Sequence, residues 1–118
     1  MSSQQKAPGM ADTSPNAARG YWVMAFRSTS DQTGVDKYAA VAGPVIRAYG
    51  GRVLAAGLPA ITHEDGLAQR VAIVEFNSLE AADVAYRSPE YQEALQYLVG
   101  AAERDVRIVQ GMESEAGI

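Results

Sequence analysis

The chain has 118 residues, which fits one domain, with 47% hydrophobic and 20% charged residues, a globular composition. The formal net charge is −4, and the ten basic residues form no cluster or stripe, which argues against nucleic acid and anionic membrane as partners. Cysteine is absent, excluding disulfides, Cys-ligated zinc, iron–sulfur clusters and thiol nucleophiles.

Residues 1–19 are rich in Ser, Gln, Pro, Ala and Asn without periodicity, and are expected to be a mobile tail. No run approaches 18 apolar residues, and the start lacks the apolar stretch of a secretory signal, so a cytoplasmic protein without a transmembrane helix is expected. Gly20 to Arg27 is a continuous apolar run of strand length, apolar on both faces. After a polar loop with Asp31 or Thr33 as helix cap, Val35, Tyr38, Ala39, Ala42, Val45, Ile46 and Tyr49 recur at helical spacing. Gly43-Pro44 predicts a kink or break, and Gly50-Gly51 a positive-φ stop.

Arg52 to Ala56 reads as a second strand, residues 57–68 as an irregular connection or a long hairpin, and Arg70 to Phe76 as a third strand. Asn77 or Ser78 caps a helix from Leu79 to about Arg87, with Leu79, Ala82, Ala85 and Tyr86 inward. Ser88-Pro89-Glu90 starts another helix, running to about Gly100 or Glu103, because a capping serine precedes proline at the first position and an acid in the first turn. Asp105 to Gln110 is the last strand and residues 112–118 a short tail. The order β-α-β-β-α-β over residues 20–111 predicts an α+β, ferredoxin-like fold: a four-stranded antiparallel sheet with its helices on one face. Strands apolar on both faces then call for a second cover, most economically a second copy packed sheet to sheet.

Alternation along the strands sorts the side chains. Trp22, Met24, Phe26, Ala72, Val74, Phe76, Val106 and Ile108 are assigned to the helices. Tyr21, Val23, Ala25, Arg27, Val71, Ile73, Glu75, Arg107 and Val109 fall on the opposite face, with Arg52 and Leu54 expected to share it. Glu75 is the one ionisable residue within an apolar strand. Unpaired and buried, it would have a raised pKa and act as an acid or base near neutrality; paired with an arginine, it stays ionised and orients or binds. A purely structural ion pair is the plainer alternative.

His63, the sole histidine, lies in Thr62-His63-Glu64-Asp65-Gly66, and is either a solvated loop residue or one lent to a pocket at the end of the sheet. Its neighbours lack the HExxH spacing, so no metal site is assigned. Tyr38, Tyr86 and Tyr91 face inward from helices, where a core role outweighs a catalytic one. No GxSxG elbow or phosphate-binding glycine motif occurs.

The segments YGGRVLAAG, VAIVEFNSLEAADVAYRSPEYQ and RIVQG, within residues 20–111, resemble the family described as domain of unknown function 1330. Gly50-Gly51-Arg52, Glu75-Phe76 and Ser88-Pro89-Glu90-Tyr91-Gln92 carry the resemblance. It implies a dimeric α+β barrel, two ferredoxin-like protomers joined through their sheets, in a superfamily that binds small, often aromatic molecules and commonly dispenses with a metal. Relatives often place an arginine shortly after the GGR segment, where this chain has Ala55-Ala56-Gly57.

The combined expectation is a homodimeric small-molecule enzyme without cofactors, performing acid–base isomerisation, cyclisation or a related rearrangement on an aromatic or polyketide-like substrate. Glu75 or His63 is the candidate general base or acid. Arg27, Arg52 and Arg107 are candidates for holding negative charge, with Tyr21 and Tyr38 shaping the substrate's wall. The alternatives are a non-catalytic dimeric ligand-binding or stress-related module and a cofactor-free monooxygenase.

Overall fold

The computed structural model describes residues 18–112, so the expected tails lie outside the described residues apart from Ala18, Arg19 and Met112. Its elements are β1 (Gly20–Thr29), α1 (Gln32–Ala48), β2 (Arg52–Gly57), β3 (Val71–Phe76), α2 (Leu79–Arg87), α3 (Pro89–Leu95) and β4 (Ala102–Gln110). The strands form one antiparallel sheet in the order β2-β3-β1-β4. This is the expected ferredoxin-like α+β fold.

Local chemistry accounts for the element ends. Asp31 caps α1, its carboxylate accepting from the Thr33 amide at 3.0 Å. Gly50, at φ 85°, supplies the left-handed turn that stops α1. Gly51 then runs so close to the core that a Cβ would stand 2.7 Å from Ile46 and the Phe76 ring. Ser78 caps α2 by accepting from the Ala81 amide at 3.0 Å. Ser88 serves two helices at once: its hydroxyl donates to the Ala85 carbonyl at 2.8 Å and accepts from the Tyr91 amide at 3.1 Å.

The helices cover one face of the sheet. Trp22, Met24, Phe26, Val74 and Phe76 are buried beneath them, with Ala72, Val106 and Ile108 partly so. Alternation thus sorted the inner rows correctly. Trp22 is fully enclosed: its indole N–H donates to the Ala82 carbonyl at 2.8 Å, and its ring lies 4.7–5.7 Å from Phe76, Tyr86 and Tyr91. Truncating such a side chain to alanine costs about 3–5 kcal/mol, several times the effect of a helix cap.

Several expectations need correcting. Helix α1 continues through Pro44 without a break, because Pro44 and Ala40 both face solvent and the carbonyl left without its partner meets water. Ala39 and Leu79 are exposed rather than inward; on α2 the buried positions are Ala81, Ala82 and Ala85. The helix after Ser88 ends at Leu95 and tightens into a 3₁₀ turn over Gln96–Leu98, which still buries Leu98. β4 begins at Ala102, three residues earlier than expected, because Ser28 and Thr29 extend β1 and pair with Glu103 and Ala102. A bulge at Leu54 shifts the alternation of β2, so that Ala55 pairs with Ile73.

Because Ser88 is buried and closes one helix while opening the next, its two bonds outweigh those of Ser78. Ser88→Ala is expected to lower unfolding free energy by about 1–2 kcal/mol and Ser78→Ala by about 0.5–1 kcal/mol, measured by urea denaturation.

Candidate functional site

The face of the sheet away from the helices has no cover from the described residues. Tyr21, Ala25, Val71 and Ile73 are partly exposed there, while Val23 is 36% and Val109 49% exposed. Strand register places three polar side chains abreast on this face. Glu75 of β3 stands directly across from Tyr21 of β1 on one side and Arg52 of β2 on the other. Directly opposed residues bring their side chains within about 5 Å, close enough for bonding without further folding.

The Tyr21 hydroxyl donates to Glu75 Oε2 at 2.9 Å, and Arg52 Nη2 donates to Oε1. Both carboxylate oxygens are therefore engaged. The bond from Arg52 holds the Glu75 carboxyl below its usual range against the opposing effect of burial, with Tyr21 contributing in the same direction. The hydrogen bond to that carboxylate in turn raises the Tyr21 phenol above its ordinary value, helped by burial. Of the two alternatives for Glu75, the structure realises the paired, ionised one.

The other candidates divide among three places. Arg27 and Arg107 do not reach Glu75; both bind Asp105, Arg107 through Nε and Nη2 at 3.0 Å each and Arg27 through Nη2. These two arginines lower the Asp105 carboxyl, Arg27 more than Arg107. Asp105 pairs with Ala25 and Glu75 with Tyr21, so the two clusters lie about 13 Å apart along β1. His63 is exposed at a turn closed by the Gly66 amide on the His63 carbonyl at 2.9 Å. Its loop joins β3 at the Val71 end, the far end from Glu75.

Tyr38 is on the opposite side of the sheet. It is buried, with its hydroxyl 2.6 Å from that of Tyr91 and 3.1 Å from Arg104 Nη1. Burial drives the Tyr91 phenol far above its ordinary value.

Two residues of these clusters are not among the candidates that the sequence pattern singles out. Asp105 shares parity with Arg107, two residues away, so its place on the open face was readable. Arg104 shares parity with Val106 and Ile108, and a cation in a helix-facing row was the signal for it. Towards the Val71 end of β3, Ala55, Ala56, Gly57, Leu58, Pro59, Val71 and Ile73 line an apolar hollow of about 250 Å³. Ile73 is two residues from Glu75 on the same face, about 7 Å along the strand. Among the described residues, no group of three His, Asp or Glu side chains is placed to hold a metal, and no helix is long and apolar enough to cross a membrane.

No curated protein matches the chain. Among solved structures it is similar to RPA0582 from Rhodopseudomonas palustris, at 24% identity and a TM-score of 0.57, over 80% of this chain and 81% of that one. A dimeric ferredoxin-like protein from Thermobifida fusca aligns with a TM-score of 0.54 at 14% identity, covering 81% and 92% of the two chains. A variant of SnoaB, a cofactor-independent oxygenase from Streptomyces nogalater, aligns with a TM-score of 0.51 at 14% identity, covering 78% and 90%. These likenesses establish the shared fold. The sequence profile matched over residues 19–112 spans the whole sheet, its helices and the open face, and the chain belongs to the family described as Domain of unknown function (DUF1330).

Proposed function

We propose that the chain works as a homodimer joined through its open sheet faces, and that it is a small-molecule enzyme whose reaction begins with proton transfer to Glu75 and needs no cofactor. The observation that carries this reading is the Tyr21–Glu75–Arg52 trio on a face that also exposes Val23, Ile73 and Val109. Apolar surface left in water costs about 25 cal/mol per Å², and a second sheet laid over Val23, Ile73 and Val109 removes that cost. Twofold pairing of identical faces is the commonest way for a small domain to do so. Pairing also dries the trio, which strengthens its electrostatics.

The chemistry follows from the lowered pKa of Glu75. A base held ionised by Arg52 takes a proton only from an acidic carbon or hydroxyl, as in phenols, 1,3-dicarbonyls and polyketide-like aromatics. Arg52, half-exposed, stabilises the oxyanion that forms, and Tyr21 aligns Glu75. Arg27 and Arg107 share a single carboxylate, so their cluster keeps one net positive charge to anchor an anionic substituent further along the face. Protonated Glu75 returns the proton to another atom of the anion, because His63, exposed in the loop at the far end of β3, does not reach it. The apolar hollow beside Ile73 takes the substrate's hydrocarbon part.

The resonance-stabilised anion then isomerises or cyclises. A second reading, favoured by the fold shared with SnoaB, has the anion supply electrons to dioxygen instead. A third, a non-catalytic ligand-binding or stress-related module, is favoured by the engagement of both Glu75 oxygens.

Hydroxynaphthalenes and 1,3-diketones, with product formation and oxygen consumption both followed, separate these readings. Glu75→Gln is expected to lower kcat by about 10²–10⁴-fold while leaving the melting temperature nearly unchanged. Turnover that survives the substitution removes the acid–base assignment, and a lowered melting temperature without any activity in the parent supports the binding module.

The acid limb of stability supplies a second check. Glu75 has a folded-state pKa below its unfolded value near about 4.3, so its contribution is present above that value and is lost as pH falls through the folded one. Glu75→Gln should flatten the decline of stability between about pH 5 and the folded pKa, and change stability at neutral pH by less than about 1 kcal/mol. Sedimentation should show twice the 12.5 kDa chain mass at micromolar concentration, and Val23→Glu should yield monomers. A monomeric parent protein at that concentration would sink the sheet-to-sheet arrangement.

A further inference from the structure

Under the helices, on the side of the sheet opposite Glu75, Arg104 enters the core from the edge strand β4. Its Cα pairs with Phe26, and its guanidinium lies 5.7 Å from the Phe26 ring centroid and 4.9 Å from that of Tyr38. Nη1 donates to the Tyr38 hydroxyl at 3.1 Å and to Met24 Sδ at 3.1 Å, and Nη2 donates to the Tyr91 hydroxyl at 3.2 Å. The two hydroxyls are 2.6 Å apart, close to the spacing of the two oxygens of one carboxylate. The end-on fork of the guanidinium thus grips a phenol pair where an arginine ordinarily grips an acid.

Counting donors shows what this arrangement lacks. Arg104 has five N–H groups and the phenols two O–H groups. Three N–H groups are used as above, and one phenol proton joins the two hydroxyls. The Nε–H, the second Nη2–H and one phenol O–H have no acceptor among the described residues. The first two form the side-on fork of the guanidinium. No carboxylate pairs with Arg104 among the described residues, so its charge is unmatched there. Among the described residues no fully buried side-chain nitrogen lacks a partner, so Nε is not sealed from solvent.

We infer that the side-on fork of Arg104, backed by Tyr38 and Tyr91, is a binding site for a small monocarboxylate, entered from the β4 edge and separate from the trio on the open face. A monoanion balances the single charge, whereas a phosphate dianion leaves an excess negative charge beside two aromatic rings. The flanking Phe26 and Tyr38 rings favour an aryl carboxylate. The site gives Tyr38 a ligand-binding role that does not depend on the enzymatic reading of the open face.

The test is calorimetric titration of the full chain with benzoate, alongside the neutral isostere benzamide and inorganic phosphate. Benzoate should bind, and the other two should bind at least about tenfold more weakly. Arg104→Met should weaken benzoate at least about tenfold, the loss expected for a charge-assisted fork. Arg47→Ala and Arg87→Ala, which remove exposed helix arginines away from both sites, should leave benzoate binding unchanged. If Arg104→Met does not fold, the Arg104 Nε–H resonance of the unaltered protein takes its place and should shift on adding benzoate. Absence of benzoate binding, equal binding of benzamide, a static Nε–H resonance, or loss of binding on removing Arg47 or Arg87 would each overturn the proposal.

Discussion

The buried indole of Trp22 sets the parity of the whole sheet. Its N–H is tied to a carbonyl of α2 and its ring is walled by Phe76, Tyr86 and Tyr91, so β1 cannot turn over without unmaking the core. Successive strand residues point to opposite faces. With Trp22 inward, Tyr21 must point outward, and pairing with β3 and β2 then brings Glu75 and Arg52 out beside it. A packing constraint on one side of the sheet thereby assembles the polar trio on the other.

The electrostatics of the two sides differ in kind. On the open face each carboxylate has its cations: Glu75 has Arg52 and a phenol, Asp105 has Arg27 and Arg107. Those groups are partly solvated, so their individual worth to stability is small and their meaning lies in placement. Beneath the helices the balance is reversed. Arg104 sits among phenols, a thioether and aromatic rings, with donors to spare and no carboxylate among the described residues. Its spare donors are not sealed from solvent, so an anion can take the place of water there.

Much of the fold is legible in the amino-acid pattern. The apolar runs at β1 and β3, the caps at Ser78 and Ser88, and the Gly50-Gly51 stop each follow from local rules and recur in the folded chain. The break expected at Pro44 does not form: Pro44 and Ala40 lie on the solvent side of α1, so the one hydrogen bond lost there does not end the helix. Leu79 misled because a first-turn leucine at a helix end can point past the core. The early start of β4 carried no local signal: Ser28 and Thr29 are polar, and only ladder pairing with Ala102 and Glu103 recruits them into the sheet.

What the chain determines on its own, residue by residue, is the order of elements and the inner and outer rows of β1, β3 and β4, since both depend on periodicity and caps within a few residues. Which charges meet was decided only by tertiary structure. Glu75 had three arginines on its face by parity, and it was the antiparallel register of β2 against β3 that chose Arg52 and left Arg27 and Arg107 to Asp105. Likewise no local pattern joins Tyr38, Tyr91 and Arg104, which come from a helix, a second helix and an edge strand. A pairing across more than fifty residues is a property of how the layers stack, and a linear pattern does not encode it.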